Sequence, residues 1–142
     1  MNNTLLSVEN GLRLKIAHGA TSSALNTDAP AFHGGNGSSF SPTDLCEAAL
    51  VSCTATLILV KAGSLGLDFS GMTAEAAHEM QRGEKVRIGS VSAIFNVPVD
   101  VEERHRRSIC RSAAECPVRN SLHPDIAIDL RIRWNDGSED RI

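Results

Sequence analysis

The stretch Ser41 to Thr56, SPTDLCEAALVSCTAT, decides how this chain reads. It opens with a helix-start signal. Ser41 can cap free backbone N–H groups, Pro42 suits the first helical position, and Asp44 falls in the first turn, where the helix dipole favours negative charge. The spacing predicts a helix to about Ala62, ended by Gly63 and Gly66. Leu45, Cys46, Ala48, Ala49, Leu50, Val51, Cys53, Ala55, Leu57, Ile58, Leu59 and Val60 surround it with apolar groups. A helix that is apolar on nearly every face is expected to be buried on nearly every face. Cys46 and Cys53, seven residues apart, share roughly one side of it.

On the N-terminal side, Leu12, Leu14 and Ile16 alternate with Arg13 and Lys15, as in a half-buried strand. Residues 17–40 are rich in Gly, Ser, Asn and Pro and read as a long loop, with a short strand near Ser22 to Leu25. A loop of that length in a compact domain is commonly functional or held by a partner chain. On the C-terminal side, GMTAEAAHEMQ and VRIGSVSAIFNV read as a hairpin turned at Arg82-Gly83-Glu84. The apolar parity of the second strand switches beside Gly89, which predicts a β-bulge. Asp100 with Glu103 resembles an acidic capping box and opens a helix to about Glu115. A short turn, Val118 to Leu122, follows Cys116-Pro117, and Ile126 to Trp134 alternates as a last strand. The tail, residues 135–142, is polar and reads as frayed. The order of elements gives a single α+β domain over residues 1–142, long enough for its own core.

Composition narrows the functions. The net charge of −3, with basic residues interleaved among acidic ones, argues against nucleic acid, which needs a concentrated basic face. The N-terminus shows no basic region followed by an apolar run, so no secretory signal is expected. The uncharged run Ala48 to Val60 is shorter than the ~18 residues of a membrane span, so a soluble cytoplasmic protein is the expectation. In that compartment four cysteines read as thiols, catalytic groups or metal ligands before they read as structural disulfides.

Cys46 and Cys110 occupy regular apolar positions and read as small core hydrophobes. Cys116 directly precedes Pro117 and a short helical turn, where a helix N-terminus would lower a thiol pKa. Cys53, in mid-helix, needs a charged neighbour supplied by the fold. His105 and His123 flank Cys110 and Cys116, but neither C-x₂-C nor H-x₃₋₅-H spacing is present, so no metal is expected. GGNG lacks the Lys and the strand-to-helix setting of a phosphate loop.

SPTDLCEAALVSCTAT and ECPVRNSLHPDIAIDLRIRW, about sixty residues apart, resemble the two signature segments of the OsmC/Ohr family of thiol peroxidases. The resemblance extends over roughly Leu12 to Trp134. It implies an intertwined homodimer whose long helices pack together inside sheets from both chains. It places Cys53 at the family's peroxidatic position and Cys116 at its resolving position. It implies an organic hydroperoxide substrate, an external dithiol reductant, and no bound cofactor. The hydroperoxidase branch carries Glu where this chain has Thr43, and Asp44 is the nearest carboxylate. That branch also sets an N-terminal Arg against the thiolate, and Arg13 is the one Arg ahead of the long helix. The resemblance thus gives a peroxidase reading, with Cys53, Cys116, Asp44 and Arg13 as site residues. It leaves a non-enzymatic alternative that binds a small apolar ligand or senses oxidants through the same thiols.

Overall fold

The structure, a computed structural model, describes residues 3–142. The chain divides into two compact units, residues 1–46 and residues 47–142.

The first unit is a three-stranded antiparallel meander of β1 (Thr4–Asn10), β2 (Arg13–His18) and β3 (Ala24–Thr27), in the order β1-β2-β3. Gly11, at φ 56°, makes the turn that joins β1 to β2. The register sets Leu6 opposite Ile16 and Ile16 opposite Leu25. The loop expected over 17–40 is more ordered than its composition implies. Its first residues complete β2, its middle forms β3, and a single 3₁₀ turn occupies Ala31–His33. The remainder is closed by Asp28, which is 1% exposed and accepts hydrogen bonds from the Ser38 backbone N–H (3.0 Å) and the Ser38 hydroxyl (2.7 Å). Those bonds hold the Asp28 carboxyl below the usual range.

Helix α1 (Pro42–Ser64) starts as the sequence predicts. Asp44 N–H donates to the Ser41 hydroxyl (3.2 Å) and Ser41 N–H donates to the Asp44 carboxylate (2.6 Å), a reciprocal cap. At the other end Gly66 adopts φ 74°, with Gly66 N–H bonded to Gly63 C=O and Leu67 N–H to Ala62 C=O. This is the left-handed glycine stop.

In the second unit α1 lies with a four-stranded sheet, order β4-β5-β6-β7: β4 (Thr73–Gln81), β5 (Arg87–Asn96), β6 (Ala127–Arg133) and β7 (Glu139–Arg141). β4 and β5 form the expected hairpin. Glu79 pairs with Ser90 and Met80 with Ile88, so Gly89 is the bulged residue. A Cβ there would stand 2.8 Å from the Gln81 Cβ, which explains the glycine. β5 and β6 run parallel, joined through α2 (Glu103–Ala114) and α3 (Pro117–Ser121). Ala93 pairs with Leu130 and Phe95 with Ile132 on the inner face. With Leu50, Ile58, Ala62, Ile109 and Ala113 they form the core.

Within one chain α1 buries one stripe: Leu50, Thr54, Ile58 and Ala62 are buried, whereas Leu59 and Val60 are 44% and 64% exposed. One sheet covers only one side of a helix. Two expectations are corrected. First, Asp100 does not cap α2. The N-cap is Glu102, which makes no side-chain cap, and Asp100 accepts a bond from the Asn135 side chain (2.9 Å). Second, the tail is paired and not frayed. β7 continues the sheet beside β6, Ile142 N–H bonds Leu130 C=O, and Trp134 Nε1 donates to Asp140 (2.7 Å). The 23 residues of α1 also exceed the run counted in the sequence and are long and apolar enough to cross a membrane by length and composition. The stripe from Leu50 to Ala62 is nonetheless buried in the core of the α+β unit.

Candidate functional site

Cys53 and Cys116 come together in the second unit, and both are free thiols. Cys53 sits on α1 beside the core stripe and is half-buried; Cys116 is 0% exposed. Cys116 is the N-cap of α3, as its position before Pro117 predicts, and its sulfur accepts the Arg119 backbone N–H at 3.5 Å. The two sulfurs are close enough for each thiol to shift the ionisation of the other, and the Val118 backbone N–H acts on both.

This geometry makes the two thiols unequal. The Cys116 thiol is the main influence on Cys53 and pushes its pKa up, aided by burial and only partly offset by the Val118 N–H. Burial also opposes ionisation of Cys116. The Arg119 N–H, the Cys53 thiol, the Thr54 hydroxyl and the Val118 N–H together outweigh it, and its pKa falls. The backbone donors at the start of α3 are fixed in place, so of the two thiols Cys116 is the easier to ionise and Cys53 the harder. Access runs the other way, because only Cys53 has surface through which a reagent can reach its sulfur.

Asp44 and Arg13 belong to the first unit, Asp44 in the α1 cap and Arg13 on β2. The Arg13 guanidinium bonds Glu9 (3.2 Å) and the Ser38 hydroxyl (2.6 Å). Cys46 is half-buried. Cys110 is half-buried on α2, and its thiol is pushed up to about 11, first by burial and then by the Asp140 carboxylate. Among the described residues no group of three or more His, Cys, Asp and Glu is arranged to hold a metal ion.

Sequence reasoning missed two features of the site. One is the pair of backbone donors at Val118 and Arg119, which no side chain announces. The other is Thr54, a hydroxyl at 0% exposure within the stripe of Leu50, Ile58 and Ala62. A polar residue at an apolar helical spacing, adjacent to Cys53, is the signal that could have found it.

Comparison with known proteins gives the family. Residues 35–131 match the model of the OsmC-like protein family, and the chain belongs to it. At 31% identity it is similar to a protein of Psychrobacter arcticus 273-4 described, provisionally, as an osmotic stress induced and detoxification response protein. That match covers 93% of this chain and 96% of the other, with a TM-score of 0.87. The organic hydroperoxide resistance protein OsmC of Legionella pneumophila shares the fold at 16% identity and a TM-score of 0.70, over 92% and 96% of the two chains. A provisionally described organic hydroperoxide resistance protein of Vibrio cholerae, with captopril bound in one of its active sites, does so at 18% and 0.71, over 97% and 94%. Among curated proteins none matches the sequence.

Proposed function

We propose that the chain is a cysteine-based peroxidase that reduces organic hydroperoxides, working as a cytoplasmic homodimer. The observation that carries this reading is the approach of Cys53 to Cys116, the first half-buried, the second fully buried at the N-cap of α3 with its pKa lowered. The Cys116 thiolate takes the proton of Cys53 as the Cys53 sulfur attacks the distal oxygen of the hydroperoxide. The O–O bond breaks, the leaving alkoxide takes that proton from Cys116 and departs as the alcohol, and Cys53 becomes a sulfenic acid. Cys116, again a thiolate, attacks the Cys53 sulfur, the hydroxyl departs as water with a proton from solvent, and a Cys53–Cys116 disulfide remains. An external dithiol reduces it by exchange. No cofactor enters these steps. Arg13 and Asp44 stay in the reading as candidate charged groups from the first unit; each has a structural partner, and no step is routed through them. The names of the Legionella and Vibrio structures support the hydroperoxide as substrate class.

Two measurements test the proposal. Peptide mapping after mild peroxide treatment should find Cys53 joined to Cys116; a dominant disulfide through Cys46 or Cys110 would sink the assignment. Peroxide consumption with a dithiol should show steady turnover. Consumption of a single equivalent without turnover would favour the second reading, an oxidant sensor or small-molecule binder using the same thiols. Thr43 in place of the branch's Glu, and a Cys53 thiol that holds its proton, are the observations on that side.

A further inference from the structure

Helix α1 contains an internal comparison for its own hydroxyl groups. Ser52, Thr56 and Ser64 each donate to a carbonyl one turn back on the helix: Ser52 to Ala49 (3.3 Å), Thr56 to Ser52 (2.8 Å) and Ser64 to Lys61 (2.7 Å). That is the ordinary fate of such residues within a helix. Thr54, alone among them fully buried, makes no such bond, and its hydroxyl has no partner of standard geometry. A buried hydroxyl without a bond is destabilising, and it calls for a physical reason. A reason lies in its setting: Thr54 follows Cys53 on α1, its hydroxyl is buried without a partner, and it is near enough to Cys116 to favour that thiolate, outside the geometry of a standard hydrogen bond.

We infer that Thr54 is a positioning residue for the thiol pair: its hydroxyl donates a hydrogen bond to the Cys116 sulfur when that sulfur carries negative charge. The bond is poor to a neutral thiol and good to a thiolate, so the hydroxyl acts only on the charged state. It completes a set with the Arg119 and Val118 backbone N–H groups, two fixed donors from α3 and one from the neighbour of Cys53 on α1. Its consequence is clearest in the reductive step. The thiolate of an external dithiol attacks the accessible Cys53 sulfur, and a mixed disulfide forms there. The Cys53–Cys116 bond breaks, and its electron pair leaves on Cys116, where Thr54 receives it. A better stabilised thiolate is a better leaving group, so the disulfide is more readily reduced.

This inference rests on the thiol-pair reading above, but its test needs no peroxide turnover. Thr54→Val removes the hydroxyl at nearly constant volume, Thr54→Ala carries the same comparison if the valine does not fold, and Thr54→Ser restores the donor. Two quantities are read on each: the pH titration of thiolate absorbance in the reduced protein, and the dithiol–disulfide equilibrium in a glutathione buffer. Loss of a hydrogen bond to a charged group predicts, for Val and Ala, about tenfold less thiolate at a pH below its titration and, at a pH above it, an equilibrium moved about tenfold toward disulfide. Thr54→Ser should keep the wild-type values. The inference is overturned if the Val and Ala variants titrate and equilibrate like wild type, or if Ser shifts as far as they do. A wild-type protein without peroxide turnover would remove the proposed function and still leave these two readouts to decide the role of Thr54.

Discussion

Simultaneous replacement of Leu59 and Val60 by alanine tests the proposed dimer at its most exposed point. Both residues lie on the open side of α1, 44% and 64% exposed in one chain. Leu→Ala removes three carbons and Val→Ala two, each worth ~0.8 kcal/mol when buried. Scaled by the surface that remains to be covered, each substitution loses about 1 kcal/mol of contact. Twofold symmetry presents both residues twice, so the dimer loses about 4 kcal/mol, close to a thousandfold in its dissociation constant. Folding within one chain should change little, because the buried stripe of Leu50, Thr54, Ile58 and Ala62 is untouched. Sedimentation equilibrium across nanomolar to micromolar protein measures the constant directly. A wild-type monomer at low micromolar concentration would refute the dimer. A shift of less than tenfold in the double variant would show that this face of α1 is not its contact.

Three further outcomes follow from the same site. The residues beside Cys53 on α1, Ala49, Leu50, Leu57 and Val60, are apolar, and a hydroperoxide with a four-carbon tail should gain about tenfold in kcat/KM over hydrogen peroxide after half of its ~3 kcal/mol of burial is lost to ordering; equal values with the same dithiol would mean a wet pocket. Cys110, pushed up to about 11, has a thiolate fraction of about 10⁻⁴ at pH 7 that grows tenfold per pH unit, so iodoacetamide with mass mapping should label Cys53 first and Cys110 only in strong alkali. Early labelling of Cys110 would contradict its burial beside Asp140. Cys116→Ala removes the neighbour that chiefly raises the Cys53 pKa, so the Cys53 thiolate absorbance should titrate at lower pH than in wild type; a titration at higher pH would mean that Cys116 favours the Cys53 thiolate at rest.

The sequence by itself determined whatever depends on neighbouring residues. Ser41, Pro42 and Asp44 set the start of α1 because a cap needs only four adjacent residues, and Gly66 set its end through one left-handed torsion. The parity switch at Gly89 announced its bulge, since alternation is a property of a single strand. Cys116 before Pro117 was legible as the cap of α3 for the same local reason. Tertiary structure decided what depends on partners distant in the chain. β1 and β7 have little apolar alternation and exist through pairing with β2 and β6, so neither stood out; residues 135–142, read as frayed, are held by Leu130, Trp134 and their neighbours. Asp100 looked like a cap and was drawn instead to Asn135. The apolar circumference of α1 was plain from its residues, but which stripe one chain buries was settled by where β5 and β6 lie. The site divides the same way. The two cysteines were visible as residue types, whereas which of them ionises more readily depends on the Val118 and Arg119 amides and the Thr54 hydroxyl, which act on Cys116 only when α3 folds against α1. Of two neighbouring thiols the one with more fixed donors ionises more readily, and donors are counted in space.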